Sequence, residues 1–568
     1  MADMDLIFPS WTQHERIAQA LETIALNGAT SAAALDAAVQ GTVNGKNTTR
    51  LFYAFLPRAM QLGETSRYNI ISRFADAVAQ AWNDKTYTLR SYNASTSGQT
   101  DMTPLDDLAK MPGAAQLCTD TTTPVEDWAD EDPMAWYIRA NALSLHDGTM
   151  NITAFEGETG FDITGSSAPV YTFALALWIK EYTDGTYNYI SFRTTRGSGF
   201  YPDEGDVDPN NKKRSVTWHP TFPGGITSSG ALTSGAGIKP YIFASANDGI
   251  VSARKMTAYE GLWTDCDTRY LLRMWQLRHW NLENSGMAEG CISYNLQYQV
   301  ALAESGVKRV LVSTSQGANF VVGSTVSIGD MGSNSNKDRG RGYMRNIADL
   351  VKISSIDTVT INDQQYSAIS LEIDGTITTT ATTYISTMPY HSGFTERLPD
   401  HKDGCPHSLT DGKCPLRVAG IEVIDGAYTI GLDPIYQVTN NATSGFDFNV
   451  YEVKDSEKQT GSVTSDYIDT GISFTGMPQG WNYVKEFYMT KKGVLFPSKI
   501  GGSSNTYMKS AFSVWGSGVH VPWRFSHLNV GAACGLACEY GNASPAYSSW
   551  DGRPRLSGAG KKRGEWTS

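Results

Sequence analysis

The sequence has little cysteine, little charge and no long hydrophobic run. Only 7 of its 568 residues are cysteine. This odd number, scattered over a long chain, excludes a small disulfide-stabilised fold and favours buried thiols of a protein made in a reducing cytosol. The longest apolar run, near residues 170–179, is well short of the ~18 residues that a membrane span needs. The first residues lack the basic and apolar regions of a secretory signal, so we expect none.

Charge and catalytic motifs are also sparse. Charged residues make up 18% of the chain and apolar residues 40%, which excludes a charge-driven disordered chain and a coiled coil. The net charge of −12 argues against nucleic-acid binding as the main role. There is no Gly-x-Ser-x-Gly elbow, no His-Glu-x-x-His and no phosphate-binding glycine loop. We therefore expect a protein that is not an enzyme.

What the sequence does contain is glycine together with many Ser, Thr, Asn and Tyr residues, which indicates strands joined by polar turns. The length suggests about three or four domains. We predict a multidomain α+β fold that is mainly β. The predicted division is a helical region over 1–100, an acidic arm and β-domain over 101–255, a helix and β-rich domain over 256–400, and a C-terminal domain over 401–568.

Three segments have helical patterns. Thr12 and Glu15 fit a capping box for a helix that stops at Asn27-Gly28. A second helix is expected to start near Thr65 and to end at Asn83-Asp84. The longest is predicted over 264–285, with Gly286 as its stop. Between them, residues 100–150 are acidic and rich in proline, which predicts a long loop or arm that is either a solvated face or a docking strip for a basic partner.

Strand signals dominate the remainder. A hairpin is predicted from 170–182 and Tyr187–Arg193, with Gly185 in the turn. Residues 221–237 read as a Gly/Ser/Thr loop without a core of its own. A second hairpin is predicted with Asp425-Gly426 at its turn. Further strands are predicted over 307–313, 319–328, 351–361, 365–373, 376–387 and 446–453.

Two clusters carry possible metal ligands. Asp203, Asp206 and Asp208, together with Glu204, form an oxygen-rich loop of the kind that calcium prefers, without the spacing of an EF-hand. His401, Cys405, His407 and Cys414 could bind zinc tetrahedrally, although the spacing is not that of a familiar finger. A Cys405–Cys414 disulfide or ordinary loop residues are the alternatives. We predict no resident cofactor.

The C-terminal part carries an ordered set of aromatic and glycine motifs. These are Gly480-Trp481-Asn482-Tyr483, Trp515-Gly516-Ser517-Gly518, Pro522-Trp523-Arg524-Phe525 and a closing Gly552-Arg553-Pro554-Arg555-Leu556. Over residues 416–568 this order resembles the C-type-lectin fold, and more narrowly the terminal domain of phage tropism determinants and related proteins varied by diversity-generating retroelements. Residues 317–324 resemble, more weakly, parts of long structural proteins from gut phages and prophages.

The resemblance implies a virion protein, made in the host bacterial cytoplasm, whose lectin-like domain binds a glycan or protein on the host cell. The helices of residues 1–100 and the acidic arm would attach it to other virion proteins, and the β-rich middle would join it into a homotrimer or act as a spacer. It would neither bind nucleic acid nor insert into a membrane. Trp481, Trp523, Gly552, Arg553 and Arg555 would build the scaffold. The expected ligand-binding side chains are Trp515, His520, Phe525, His527, Asn529, Glu539, Tyr540, Asn542, Ser544, Tyr547 and Ser549.

Two other functions are compatible with the sequence. Within the same class, the chain could be a capsid decoration or head-fibre protein with a lectin-like knob. In another class, Cys534 and Cys538 invite comparison with formylglycine-generating enzymes, which share the fold and oxidise a thiol with a cysteine pair and copper. The basic tail Lys561-Lys562-Arg563 is too short to predict nucleic-acid binding. We expect solvated charge there, or pairing with acidic loops.

Overall fold

The structure of the chain, a computed structural model, describes residues 13–44, 47–121, 134, 136–399, 402–558 and 562–567. Strands predominate over helices, so the predicted multidomain α+β, mainly β class is confirmed. No described helix combines the length and the apolar character that crossing a bilayer demands.

Four helices form the N-terminal region, where the sequence predicted two. Helices Gln13–Asn27 and Arg67–Ala81 confirm the two predictions, and the proposed cap Thr12 lies outside the described residues. Helices Ala32–Thr42 and Thr48–Gln61 lie between them and were missed. The first begins at an N-cap, Ser31, whose side chain accepts a hydrogen bond from the backbone N–H of Ala34, whereas the second has no side-chain cap and is defined by its packed apolar face.

The helices pack on a four-stranded sheet through aromatic rings. The Phe52 ring lies 5.3 Å from that of Phe74 and 4.9 Å from that of Phe155, and Phe74 lies 5.5 Å from Trp136. The helical region therefore shares a core with the sheet behind it. That sheet has the strand order Met150–Phe155, Tyr137–Ser144, Val170–Leu175, Val216–Pro220.

Two predictions for residues 100–193 need correction. Parts of the supposed acidic arm are strands, since Thr103–Asp106 pairs with Tyr87–Tyr92 and Tyr137–Ser144 is central in the four-stranded sheet; residues 122–133 lie outside the described residues. The run 170–182 is not one strand. Its first half joins the four-stranded sheet and its second half, Trp178–Thr183, forms the hairpin with Tyr187–Arg193. The five-stranded sheet runs Thr103–Asp106, Tyr87–Tyr92, Tyr187–Arg193, Trp178–Thr183, Tyr201–Pro202.

The Gly/Ser/Thr segment 221–237 is more ordered than predicted. It contains a short hairpin of Gly224–Ile226 and Leu232–Ser234, and Leu232 is fully buried. Gly224 faces the carbonyl of Pro554, where an added Cβ would lie 1.9 Å from the oxygen. Glycine is therefore required there by close approach of the closing strand rather than by turn formation.

The long central helix spans Asp265–His279 and is buried almost all round. It ends six residues before the predicted stop, because Trp280 takes a left-handed conformation with φ of 54°. Its charged side chains, such as Asp265 and Arg278, are buried together with its apolar ones, so the helix lies inside the protein and its charges need partners from other parts of the chain. The shorter helix Ala246–Ala253 precedes it.

The strands predicted over 351–361 and 365–373 lie close to their predicted positions, and the one predicted over 307–313 is shorter. The strand predicted over 319–328 begins only at Thr325, and the run 376–387 is two short strands with different partners. Asn362 and Asp363, both with positive φ, form the tight turn of the longest hairpin, as a two-residue loop requires. The six-stranded sheet has the order Gln297–Gln299, Thr383–Thr387, Thr325–Asp330, Ala348–Ile361, Gln364–Leu371, Arg309–Val312, with Ser305–Val307 and Ile377–Thr378 as a separate pair and Thr314–Gly317 as a short helix.

The C-terminal part forms an eleven-stranded sheet. The predicted Asp425-Gly426 hairpin is wrong, because Ile421–Val423 turns back onto Leu416–Val418 and Tyr428–Asp433 pairs with other strands. The main path of the sheet is Ile468–Met477, Phe446–Glu452, Ile435–Asn440, Gly518–Arg524, Glu539–Ala543, Ala511–Val514, Gly480–Phe487, Pro497–Ile500; Trp263–Thr264, Tyr428–Asp433 and Gly552–Pro554 join it at the side.

The predicted division at residues 256 and 401 remains a prediction, but strong contacts cross it. Strand Trp263–Thr264 pairs in parallel with Tyr428–Asp433, and one hydrophobic core runs from the N-terminal helices through the central helix to residues near 537. The six-stranded sheet has its own core. The C-terminal sheet is therefore supported by segments from far earlier in the chain.

Candidate ligand-binding surface

The scaffold of the candidate surface is the part of the sheet that the C-terminal motifs form. Strands Gly518–Arg524 and Glu539–Ala543 are antiparallel, and Trp523 lies opposite Tyr540. The closing strand Gly552–Pro554 pairs in parallel with Tyr428–Asp433. At Gly552 an added Cβ would lie 2.4 Å from the Trp523 ring. Glycine at this position therefore lets the closing strand pack directly on the indole.

Three buried arginines fix this scaffold. Arg524 donates to both carboxylate oxygens of Asp265 on the central helix, at 2.8 and 2.6 Å, and its Nη1 lies 2.6 Å from Oε2 of Glu539. Arg553 pairs with Asp425. Arg555 donates to the carbonyls of residues 422 and 220, each at 2.8 Å. Because buried cations need such partners, these contacts hold the strands in one arrangement.

On this scaffold lies a continuous row of aromatic rings. Trp481 and Trp515 have ring centroids 5.9 Å apart, and Trp515 lies 5.9 Å from Tyr540. Tyr540 lies 6.1 Å from Trp523, which lies 5.2 Å from Tyr547. Two rings of the row reach solvent, since Trp515 is 39% exposed and Tyr547 46% exposed. Each exposed ring is thus held by packed neighbours. We call these five residues the aromatic row.

The structure places the eleven predicted ligand-binding side chains in three groups. Trp515, Asn529, Ser544 and Tyr547 are exposed. His527, Tyr540, Asn542 and Ser549 are half-buried. His520, Phe525 and Glu539 are buried. Of the first two groups, Trp515, Tyr540 and Tyr547 belong to the aromatic row, and the Asn542 side-chain oxygen accepts a hydrogen bond from the backbone N–H of Trp515 at 3.0 Å.

The three buried residues correct the prediction that they face outward. Glu539 points inward to Arg524, and strand alternation then turns Tyr540 outward. His520 donates from Nδ1 to the Gly541 carbonyl at 3.0 Å, and burial lowers its pKa. Phe525 packs edge-on against Trp263, 5.7 Å away. All three stabilise the scaffold.

The sequence reasoning missed a contribution from the middle sheet. The guanidinium of Arg339 lies 5.2 Å from the centre of the Trp550 ring and donates from Nε to the Thr387 carbonyl at 3.0 Å. His527 lies beside Trp550, and its Nε2 is 3.7 Å from Oδ2 of Asp551. No local signal marks Arg339, because it meets Trp550 only through the fold. Asp338, the neighbour of Arg339, and Asp551 both lie close enough to Tyr547 to affect its pKa, so Arg339 is near the Tyr547 end of the aromatic row.

Burial and neighbouring carboxylates determine the protonation states of Tyr547 and His527, which lie at the Tyr547 end of the aromatic row. Burial, and then Asp551 and Asp338, raise the pKa of Tyr547. Burial lowers the pKa of His527. At neutral pH the tyrosine hydroxyl therefore remains a hydrogen-bond donor and the imidazole remains uncharged. A surface of uncharged aromatic groups with hydroxyl and amide groups beside them suits a neutral polar ligand.

Two carboxylates of the predicted calcium loop, Asp203 and Glu204, pair with cations of the protein itself. Asp203 pairs with Arg273, and its carboxylate also lies 3.6 Å from Arg269. Burial opposes ionisation of Asp203, but the two arginines lower its pKa to about 2. Asp208 accepts backbone hydrogen bonds from residues 210 and 212, at 2.9 and 2.8 Å. The loop is thus part of a buried charge network.

The predicted zinc ligands are only partly described. His401 lies outside the described residues. Cys405 and Cys414 are buried free thiols, so the alternative of a Cys405–Cys414 disulfide is wrong. His407 is exposed and lies 3.7 Å from Asp411. Among the residues that the structure describes, no three His, Cys, Asp or Glu side chains are grouped to hold a metal ion. Zinc binding remains a prediction.

The cysteine pair considered for thiol oxidation lies beneath the surface. Cys534 and Cys538 are 1% and 0% exposed. Burial raises the pKa of Cys534 well above its ordinary value, and the Ser526 hydroxyl contacts its sulfur. Since the thiolate is the reactive form of cysteine, this environment keeps Cys534 protonated and out of reach of a protein substrate.

Comparison with known proteins adds no relative. No protein-family model matches the chain, and no curated protein matches it.

Proposed function

We propose that this chain is a bacteriophage virion protein that binds the surface of the host cell through the aromatic row and the polar groups beside it. The observation that carries the proposal is the row itself, a packed array of rings on a sheet in which two rings, Trp515 and Tyr547, are solvent-exposed. Exposed large aromatic residues on an otherwise polar surface mark interaction sites. Asn529, Ser544 and Ser549 would supply hydrogen bonds around them.

The physical properties of the row suit recognition. Tyr and Trp offer large contact area at low entropic cost, and Ser and Asn adapt their hydrogen bonds. Packing of Trp515 against Trp481 and Tyr540 limits its rotamers before a ligand arrives, which reduces the ordering cost of binding. A single site of this size would bind modestly. Several copies in a trimer or on one particle would raise the overall affinity through avidity.

Two alternatives differ in how the row is used. A capsid decoration or head-fibre protein would carry the same knob without needing a ligand, and the exposed rings favour the adhesin. A thiol oxidase would need a reactive sulfur, whereas Cys534 and Cys538 are buried and Cys534 has a raised pKa. The adhesin is therefore the function that the geometry supports best.

Binding of the intact chain to cells tests the proposal. Full-length protein is required, because the Arg524 partner Asp265 lies on the central helix. We would label the protein fluorescently and measure its binding to a panel of gut bacterial isolates and to their extracted surface polysaccharides. The double variant Trp515→Ala/Tyr547→Ala should lose at least about tenfold in affinity, since hot-spot aromatic residues contribute ~2 kcal/mol or more each.

The matched control is Tyr182→Ala. Tyr182 is 41% exposed and lies on the five-stranded sheet, outside the aromatic row. This variant should bind like the unmodified chain. Equal binding by the double variant and the control would refute the adhesin site, and absence of binding to every isolate and polysaccharide would favour the decoration protein.

A further inference from the structure

The last described residues, 562–567, lie in a groove formed by distant parts of the chain. The backbone N–H of Arg563 donates to the Lys454 carbonyl at 2.7 Å. The carbonyl of Lys562 accepts a hydrogen bond from Arg214 at 2.8 Å. The backbone N–H of Glu565 donates to the side-chain oxygen of Asn211 at 2.9 Å. The tail is thus bound along its backbone. As the alternative of pairing with acidic residues predicted, Lys562 pairs with Asp455 and Glu457 and Arg563 with Asp433; Lys561 lies outside the described residues.

Arg563 fills a closed pocket at the centre of this groove. Its side chain is fully buried and pairs with Asp433. Nη2 also donates to the Val453 carbonyl at 2.5 Å, and Nη1 donates to the sulfur of Cys266 at 2.9 Å. These partners lie on different sides of the planar guanidinium group. A lysine ammonium, which is a compact point charge, cannot reach them all.

The pocket needs a cation. Besides Asp433 it contains Glu204 and Glu452, which are 5% and 0% exposed. Lys454 lies 2.9 Å from Glu204, and Lys492 lies 3.4 Å from Glu452. Without Arg563, three carboxyl groups would share two ammonium groups. Burial raises the pKa of Asp433 to about 7 and that of Glu452 to about 8 even with the arginine in place.

The residues after Arg563 add two further recognition points. An added Cβ at Gly564 would lie 2.2 Å from the Asp208 carbonyl oxygen, so only glycine fits beneath the acidic loop. The Trp566 ring lies edge-on to Trp178 at 5.3 Å, and the guanidinium of Arg196 lies 5.4 Å from its centre. The groove therefore makes residue-specific contacts with three positions of an Arg-Gly-x-Trp sequence.

We propose that this groove is a peptide-binding site with a guanidinium pocket, whose ligand is an Arg-Gly-x-Trp peptide and whose natural occupant is the chain's own tail. Every contact described above is non-covalent, and the tail supplies its own backbone and side-chain groups. A peptide of the same sequence carries the same groups, so it should bind when the covalent connection is removed. This site is separate from the aromatic row.

The test supplies the tail as a separate molecule. Residues 559–561 would be replaced by a protease recognition sequence, and the protein would be folded, cleaved and mixed with a fluorescent Lys-Arg-Gly-Glu-Trp-Thr-Ser peptide. We expect the labelled peptide to replace the cleaved tail, one per chain, by fluorescence anisotropy. Replacement of the peptide arginine by lysine should weaken binding at least about tenfold, because paired charge-assisted hydrogen bonds are lost.

Two controls make the result decisive. A peptide with the leading lysine changed to alanine should bind within about threefold, because Lys562 contacts only partly exposed groups and such pairs contribute little. If the cleaved tail does not exchange, a chain ended after Gly558 would be refolded with and without the peptide, and peptide-dependent recovery is expected. Equal affinity of the arginine and lysine peptides, or no effect of peptide on refolding, would overturn the proposal.

Discussion

The buried group of Arg524, Asp265 and Glu539 offers a sharp test of how charge holds this fold together. All three side chains are fully buried. Burial, and then repulsion from Asp265, raise the pKa of Glu539 to about 8 despite the attraction of Arg524. At pH 7 Glu539 therefore keeps its proton most of the time. Burial raises the pKa of Asp265 too, but the two hydrogen bonds that Asp265 accepts from Arg524 make it the charged partner. Arg524→Met and Glu539→Gln should consequently have very different effects.

The magnitudes follow from the two environments. Arg524→Met leaves a buried carboxylate without its cation, which costs ~3–5 kcal/mol. Glu539→Gln replaces a protonated acid by an amide of the same shape, at a cost under about 1 kcal/mol. A chain of 568 residues has an unfolding entropy of about 1.2 kcal/mol/K if it unfolds as one unit. The expected decreases in Tm at pH 7 are then about 3–4 °C and under about 1 °C.

Thermal unfolding of the three proteins at pH 7, followed by tryptophan fluorescence, measures these shifts. A repeat at pH 9 should widen the gap, because ionisation of Glu539 destabilises the unmodified chain and Arg524→Met, whereas Glu539→Gln has no proton to lose at this position. If Glu539→Gln lowers Tm as much as Arg524→Met at pH 7, Glu539 is an ionised partner of Arg524 and the assignment above is wrong.

Two more predictions concern titration and thiols. Burial is the first cause that raises the pKa of five carboxyl groups to about 7 or 8. The folded chain keeps protons that the unfolded chain releases above pH ~4.5. Their stabilising effect is complete below that pH and is lost as the pH rises through 7–8, so Tm should fall between pH 6.5 and 8; a rise would contradict the assignment. The groups are Glu283, Glu422, Asp433, Glu452 and Glu539. Separately, all 7 cysteines are buried and free. A thiol reagent should therefore react slowly with the folded protein, whereas in denaturant it should react rapidly with all seven thiols. Rapid reaction of two thiols in the folded protein would contradict their burial and would support the thiol-oxidase hypothesis.

The sequence predicted elements where local pattern and packing agree. The strands over 351–361 and 365–373 were predicted from their residue types, and the Asn362-Asp363 turn between them has the positive φ that such a turn requires. The closing Gly552-Arg553-Pro554 strand was found through its motif. Prediction failed at Asp425-Gly426. Asp-Gly is a common turn dipeptide, but here the two flanking strands pair with other strands and not with each other. Pairing partners far away in the chain decide such cases, and no local signal reports them.

The candidate site was predictable in part for the same reason. Trp515, Tyr540 and Tyr547 stand among turn formers or beside glycine, and all three border the surface. Glu539 was mistaken for a ligand contact because its inward orientation depends on Arg524 and on Asp265, which is 259 residues from Arg524. Arg339 could not have been predicted, since only the folded middle sheet brings it to Trp550.

The pairing of Asp265 with Arg524 also constrains how the protein is made. The two residues are separated by 259 positions, and at about 5–20 residues per second a ribosome needs about 13–50 s to synthesise that interval. During this time the Asp265 carboxylate of the nascent helix Asp265–His279 lacks Arg524, and the apolar side chains of the helix lack the later segments that pack on them. A translation product that stops before Arg524 cannot complete this element, so only chains synthesised beyond that point would escape chaperones and proteases to enter an assembly.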